Sequence, residues 1–162
     1  MTSPFLESYG GETTEQLLAL ESKYRIDSLV LAFEQAIQMK SKPSREEEYV
    51  LAVEALEREV NNGGYSQFFT NSSNEFTAII EVALRAIDCA KTAEITHDAI
   101  TALGTESDLS PDIVGAAAQA DERVEERLNE CDARYFANDE PIADRLFAWI
   151  KANRGKIRVG DG

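Results

Sequence analysis

Apolar residues recur along this chain at the helical period, and nowhere does an apolar/polar alternation of period two last long enough to make a strand. That one property limits the chain to an all-α fold. Thr13-Thr14-Glu15-Gln16 reads as a capping box, with Thr13 as the cap and Gln16 reaching back. A long helix or a kinked pair is expected from there to about Lys40, carrying Leu17, Leu20, Tyr24, Leu31 and Phe33, and Pro43 stops it. Ser44-Arg45-Glu46-Glu47 is a second capping box. Its helix is expected to run to about Val60, with Tyr49, Val53, Leu56 and Val60 on one stripe. Gly63-Gly64 should end it, because glycine takes left-handed backbone cheaply.

The remaining helices follow from the same signals. Ser72-Ser73-Asn74-Glu75 should cap a helix to about Ala90 carrying Phe76, Ile79, Ile80, Ala83, Leu84 and Ile87. Another covers roughly 94–103 and stops at Gly104. Ser110-Pro111-Asp112 combines a cap with proline in the first turn, and its helix is expected to reach about Cys131, burying Ile113, Ala117, Ala120, Val124 and Leu128. Asp139-Glu140-Pro141 opens a last helix to about Asn153. The expectation is a single compact all-α domain over residues 1–162, with about six helices and flexible ends at about 1–12 and 155–162.

The formal net charge is −14, and it is unevenly spread. Residues 1–45 carry −1, residues 46–140 carry −16 and residues 141–162 carry +3. The acidic middle would repel nucleic acid and anionic lipid and attract basic proteins. The chain has no long apolar run and no signal-peptide layout at its start, and its cysteines, Cys89 and Cys131, stand far apart. A cytoplasmic protein with reduced thiols is expected.

The segment Asn61-Asn62-Gly63-Gly64-Tyr65-Ser66-Gln67-Phe68-Phe69-Thr70-Asn71-Ser72-Ser73 resembles the signature of the DNA mimic protein-nineteen family, in which an acidic helix passes through an Asn-Gly-Gly-aromatic turn into a Gln-aromatic-Phe-x-Asn segment. Cys131-Asp132-Ala133-Arg134-Tyr135-Phe136 is similar to that family's later Leu-Asp-x-x-aromatic-aromatic element. Asn74 stands where the family has glycine, and Cys131 where it has leucine. The resemblance implies an all-α protein without known catalysis and without a cofactor. It also implies kinship to at least one protein whose carboxylates stand in for DNA phosphates. The motif residues Asn62, Gly63, Gly64, Tyr65, Gln67, Phe68, Phe69, Asn71, Asp132 and Tyr135 are expected to serve the fold. The glycines make the turn, the aromatics fill the core, and Gln67 and Asn71 bond loose backbone at helix ends. The other reading of this segment is an exposed recognition loop.

Candidate partner-binding residues must therefore come from the carboxylates. On a wheel of about 100° per residue, Glu122 and Glu126 oppose the apolar stripe, with Glu125 and Glu130 on its flanks. Like charges stand four apart at Asp121/Glu125, Glu122/Glu126 and Glu126/Glu130. Together they cost about 1 kcal/mol, partly relieved by Arg123, Arg127 and Arg134, a departure from local consistency of the kind expected at functional sites. Glu46, Glu47, Glu54 and Glu57 are assigned to the outer side of the earlier acidic helix. Carboxylates four apart on a helix lie roughly 6 Å from one another, against a phosphate about every 3.4 Å along the axis of a DNA strand, so two or three such helices side by side would be needed to approach duplex charge density. These eight acids are the candidate surface for a basic or DNA-binding protein, with no direct contact to nucleic acid or membrane. Monomer and homodimer are both compatible with the composition.

Two other functions are weighed against this one. An adaptor or immunity-type protein would bind through the Gly63–Asn71 surface. An all-α Mg²⁺-dependent nucleotide hydrolase would gather Glu54-x-x-Glu57 and Glu122-x-x-Glu125 around a metal, but no basic phosphate clamp accompanies these motifs. Glu94-Ile95-Thr96-His97 spells half of a di-iron bundle element. His97 is the only histidine, so the second half is missing and a surface position is expected for it.

Overall fold

The computed structural model describes residues 3–160. Among them are eight α-helices and no strand: α1 (Thr14–Leu18), α2 (Ile26–Gln38), α3 (Arg45–Thr70), α4 (Thr77–Ala86), α5 (Ala90–Leu103), α6 (Pro111–Ala118), α7 (Glu122–Ala137) and α8 (Ile142–Ala152), with a 3-10 turn at Ser72–Phe76 between α3 and α4. The all-α class holds, and the helix count exceeds the expected six because two expected helices are each broken. Residues 14–40 split into α1 and α2. Residues 111–131 split where Asp121, extended at φ −161°, accepts the backbone N–H groups of Arg123 and Val124 and so caps a new helix. The break also shifts the helical phase. Val114 and Ala118 are buried on α6, while Ile113 and Ala120, expected inside, are exposed. No helix among the described residues is long and apolar enough to cross a membrane.

The chain forms two compact units, residues 1–54 with 141–162 and residues 55–140, and α3 contributes to both. In the first unit α2 packs on α1 and α8. Leu17, Leu29, Phe33, Ile37, Leu146 and Ile150 are buried in it, and Tyr49 stacks on Trp149 at 5.9 Å. Both capping boxes form: Thr13 with Gln16, and Ser44 with Glu47. The stretches expected to be flexible are hydrogen-bonded to this unit. The Leu6 N–H donates to Ser28 Oγ, and the Tyr9 N–H to Gln35 Oε1. Thr14 Oγ1 donates to the Ile157 carbonyl at 2.7 Å and accepts the Val159 N–H at 3.0 Å. Residues 1–2 and 161–162 of those stretches lie outside the described residues.

In the second unit α5 packs against both α4 and α7. Leu56, Val60, Tyr65, Phe68, Phe69, Ile80, Leu84 and Leu128 are among its fully buried apolar groups. Gly104 closes α5 in the left-handed conformation at φ 70°. Neither Cys89 nor Cys131 is in a disulfide, and both are buried.

Candidate functional site

Both Gly63 and Gly64 leave helical backbone, so the helix that starts at Arg45 ends there as expected, and a second helical segment follows across the kink to Thr70. Gly64 sits at φ 78°, ψ −177°, backbone that only glycine adopts readily. Resuming a helix leaves its first N–H groups without intrahelical partners. Asp132, reaching over from α7, accepts the Tyr65 N–H at 2.7 Å and supplies the missing acceptor. Its carboxylate lies so close to Gly64 that a Cβ there would collide with it. Burial lifts the Asp132 carboxyl above its usual range, and the Tyr65 N–H opposes that shift.

The aromatics of the motif line the core, as the sequence indicates. Tyr65, Phe68 and Phe69 are fully buried, and the Phe69 ring meets both of the others. Tyr135 meets Tyr65 edge-on at 5.9 Å, and its hydroxyl donates to the Glu57 carboxylate. Tyr65 OH bonds Thr96 Oγ1 on α5 at 2.8 Å. Burial raises both phenol pKa values, so neither hydroxyl ionises near neutrality. Tyr65→Phe leaves Thr96 without that partner in the core. It is expected to cost about 1 kcal/mol, read as a lower urea midpoint with an unchanged slope.

Gln67 and Asn71 do a different job from the one expected. Neither bonds loose backbone. Both donate to the Glu59 carboxylate one turn before the kink, at 2.6 and 3.2 Å. The end of α3 is closed instead by Ser73 and Asn74, which donate to the carbonyls of Phe68 and Phe69, each at 2.8 Å. Asn74 also donates to the Pro111 carbonyl at 3.0 Å, linking this end to α6. Asn62, Gly63, Thr70 and Asn71 are exposed, whereas the aromatic side chains of the segment offer nothing to a partner.

The eight candidate acids separate. Glu46 and Glu47 do not lie on the outer face and are buried. The capping box turns Glu47 back onto the Ser44 N–H. Lys40 Nζ, at 2.6 Å, and the Arg158 N–H, at 2.7 Å, then surround it, leaving 1% of the side chain exposed. Glu46 pairs with Arg45 at 2.9 Å. Glu54 and Glu57 are half-buried, Glu57 under Tyr135. Glu122, Glu125, Glu126 and Glu130, all on α7, are exposed as expected.

The hydrolase arrangement does not form. Glu57 lies at Tyr135, which at 1.5 Å per residue is about 20 Å along α7 from Glu122 and about 15 Å from Glu125. His97 is exposed and bonds Glu81 on α4 at 2.8 Å, and that carboxylate raises its pKa.

The kink, the Asp132 bond and the buried aromatics tie the two sequence elements into one structural unit. Residues 41–153 match the family model described as DMP19-like protein. The chain belongs to the DMP19-like family. Of its two marks, the Asn-Gly-Gly-Tyr segment and the Asp-x-x-Tyr element, each supplies the groups the other needs. No curated protein and no solved structure matches the chain.

Proposed function

We propose that this protein is an acidic protein-binding module that occupies the nucleic-acid site of a DNA-binding protein through the exposed face of α7. The observation that carries this reading is the set of four exposed carboxylates, Glu122, Glu125, Glu126 and Glu130, in a unit holding eighteen acidic and six basic residues, net −12. Membership of the DMP19-like family supports it. Lys and Arg side chains that otherwise grip phosphates would bind these carboxylates, so partner and DNA compete. The reading is of a cytoplasmic protein whose effect is on transcription. The reading needs no catalytic step and no cofactor.

Burial of Tyr65, Phe68 and Phe69 leaves the adaptor alternative only a small polar edge around Asn62 and Asn71.

Reversing Glu122, Glu126 and Glu130 to lysine is expected to abolish capture of heparin-retained DNA-binding proteins by the immobilised protein at low salt. Far-UV circular dichroism should stay nearly unchanged, because the three side chains are exposed. Duplex DNA should release what the wild type captures, and affinity should fall steeply with salt. Equal capture by the reversed variant, or failure of DNA to compete, would overturn the reading.

A further inference from the structure

Phe136 is the large apolar member of the Cys131–Phe136 element that is left mostly in solvent. Asp132 holds the kink, Tyr135 packs on Tyr65, Cys131 is buried and Arg134 pairs with Asp98 at 2.6 Å. Phe136 is 57% exposed, and its ring contact is with Tyr135, its chain neighbour. An aromatic that far into solvent adds little to the core; with the exposed Ala133 and Ala137 one turn and one residue away it makes a contiguous apolar patch at the end of a charged helix face, where an aromatic can anchor a contact.

Its place on α7 says what it contacts. At about 100° per residue, Glu125, Asn129 and Phe136 fall within about 40° of one line, and Glu122, Glu126, Ala133 and Ala137 form the crest beside it. All seven side chains are exposed. Arg123, Arg127 and Arg134 share the flank beyond the crest. The outward face is therefore ordered along its length: acids through Glu130, then an apolar end of Ala133, Phe136 and Ala137. Along the axis the acids from Glu122 to Glu130 span about 12 Å, and Phe136 follows about 9 Å beyond Glu130.

The geometry points to Phe136 as the apolar anchor of the α7 binding face, and to a partner segment that is a basic amphipathic helix: Lys or Arg on successive turns against the acids, and an apolar side chain beyond them against Phe136. Charge complementarity selects the basic face, and the exposed aromatic at the end of the acid run selects an apolar residue over a further base. The inference rests on the acidic-surface reading above. It divides the affinity into a salt-sensitive part from the acids and a salt-insensitive part from Phe136.

Two synthetic helical peptides of equal charge test it by fluorescence anisotropy at low and high salt. Both carry lysine on successive turns. One has leucine at the position facing Phe136, and the other has glutamine there. The wild type is expected to bind the leucine peptide about tenfold more tightly, a preference that survives high salt. Phe136→Ala should erase that preference, keep the salt dependence and leave the melting temperature unchanged. Equal binding of the two peptides by the wild type, or an unaltered preference in Phe136→Ala, overturns the anchor alone. Unchanged affinity for both peptides in the Glu122/Glu126/Glu130 lysine variant overturns the acidic-surface reading as well. Sedimentation of the free protein supplies the remaining outcome: a dimer that Phe136→Ala makes monomeric would assign Phe136 to a second copy of the chain and overturn the proposal.

Discussion

Gly64→Ala is expected to destabilise the protein by about 3 kcal/mol or more, among the largest effects of any single methyl group added to it. Two costs add at this position. The backbone stands at φ 78° with ψ near 180°, a region essentially closed to residues with a Cβ. The new Cβ would also push away the Asp132 carboxylate and so strip the Tyr65 N–H of its acceptor. Gly104→Ala is the internal control. Gly104 is left-handed at φ 70°, but nothing lies within 4 Å of where its Cβ would sit, so only the backbone cost of about 1 kcal/mol should appear. Denaturant melts of the two variants separate the terms. Asp132→Ala combined with Gly64→Ala should cost less than the sum of the two single changes, because the clash is then gone. Equal midpoints for Gly64→Ala and Gly104→Ala would refute this account of the kink.

Glu47→Ala should cost about 3 kcal/mol, since it leaves the Lys40 ammonium and two N–H groups without their shared acceptor. Burial by itself would raise the Glu47 carboxyl. Lys40 and the N–H groups of Ser44 and Arg158 outweigh burial and hold it below the usual range. A depressed folded value means the stabilisation is fully present above the unfolded pKa of about 4.3 and is lost as pH falls through the lowered value. Glu47→Gln should accordingly flatten the acid limb of the stability curve. If the residue were a partner contact, both variants would melt like the wild type.

The contrast between Glu47 and Glu126 marks how far the sequence could be read. Caps, the glycine pair and the three aromatics are local signals, and they predicted elements that formed. Serine followed three residues later by glutamate announces a capping box, but not that the same carboxylate will be closed over by a lysine seven residues back and a backbone N–H 111 residues on. Phase on a wheel assigns Glu47 to the outside, and only tertiary contacts put it inside. The break at Asp121 was more accessible. Aspartate before Glu-Arg-Val is a cap signal, but a continuous apolar stripe runs through it in the sequence and masks the break. The pairing of Gln67 and Asn71 with Glu59 had a fainter trace, an acid one turn ahead of a glycine kink.

That same break bears on how so many carboxylates can share one helix. Had residues 111–137 formed a single rod, Glu122 and Glu125 would stand in its middle, where the peptide dipoles cancel and nothing offsets their repulsion. Restarting the helix at Asp121 puts both in the first turn of α7, beside the partial positive charge of its free N–H groups. An acidic side chain there gains about 0.3–1 kcal/mol, comparable to what the like-charge pairs lose. The interruption thus adds a local counter-charge built from backbone to that of Arg123, Arg127 and Arg134 on the flank, and it does so without placing a further cation on the acidic face.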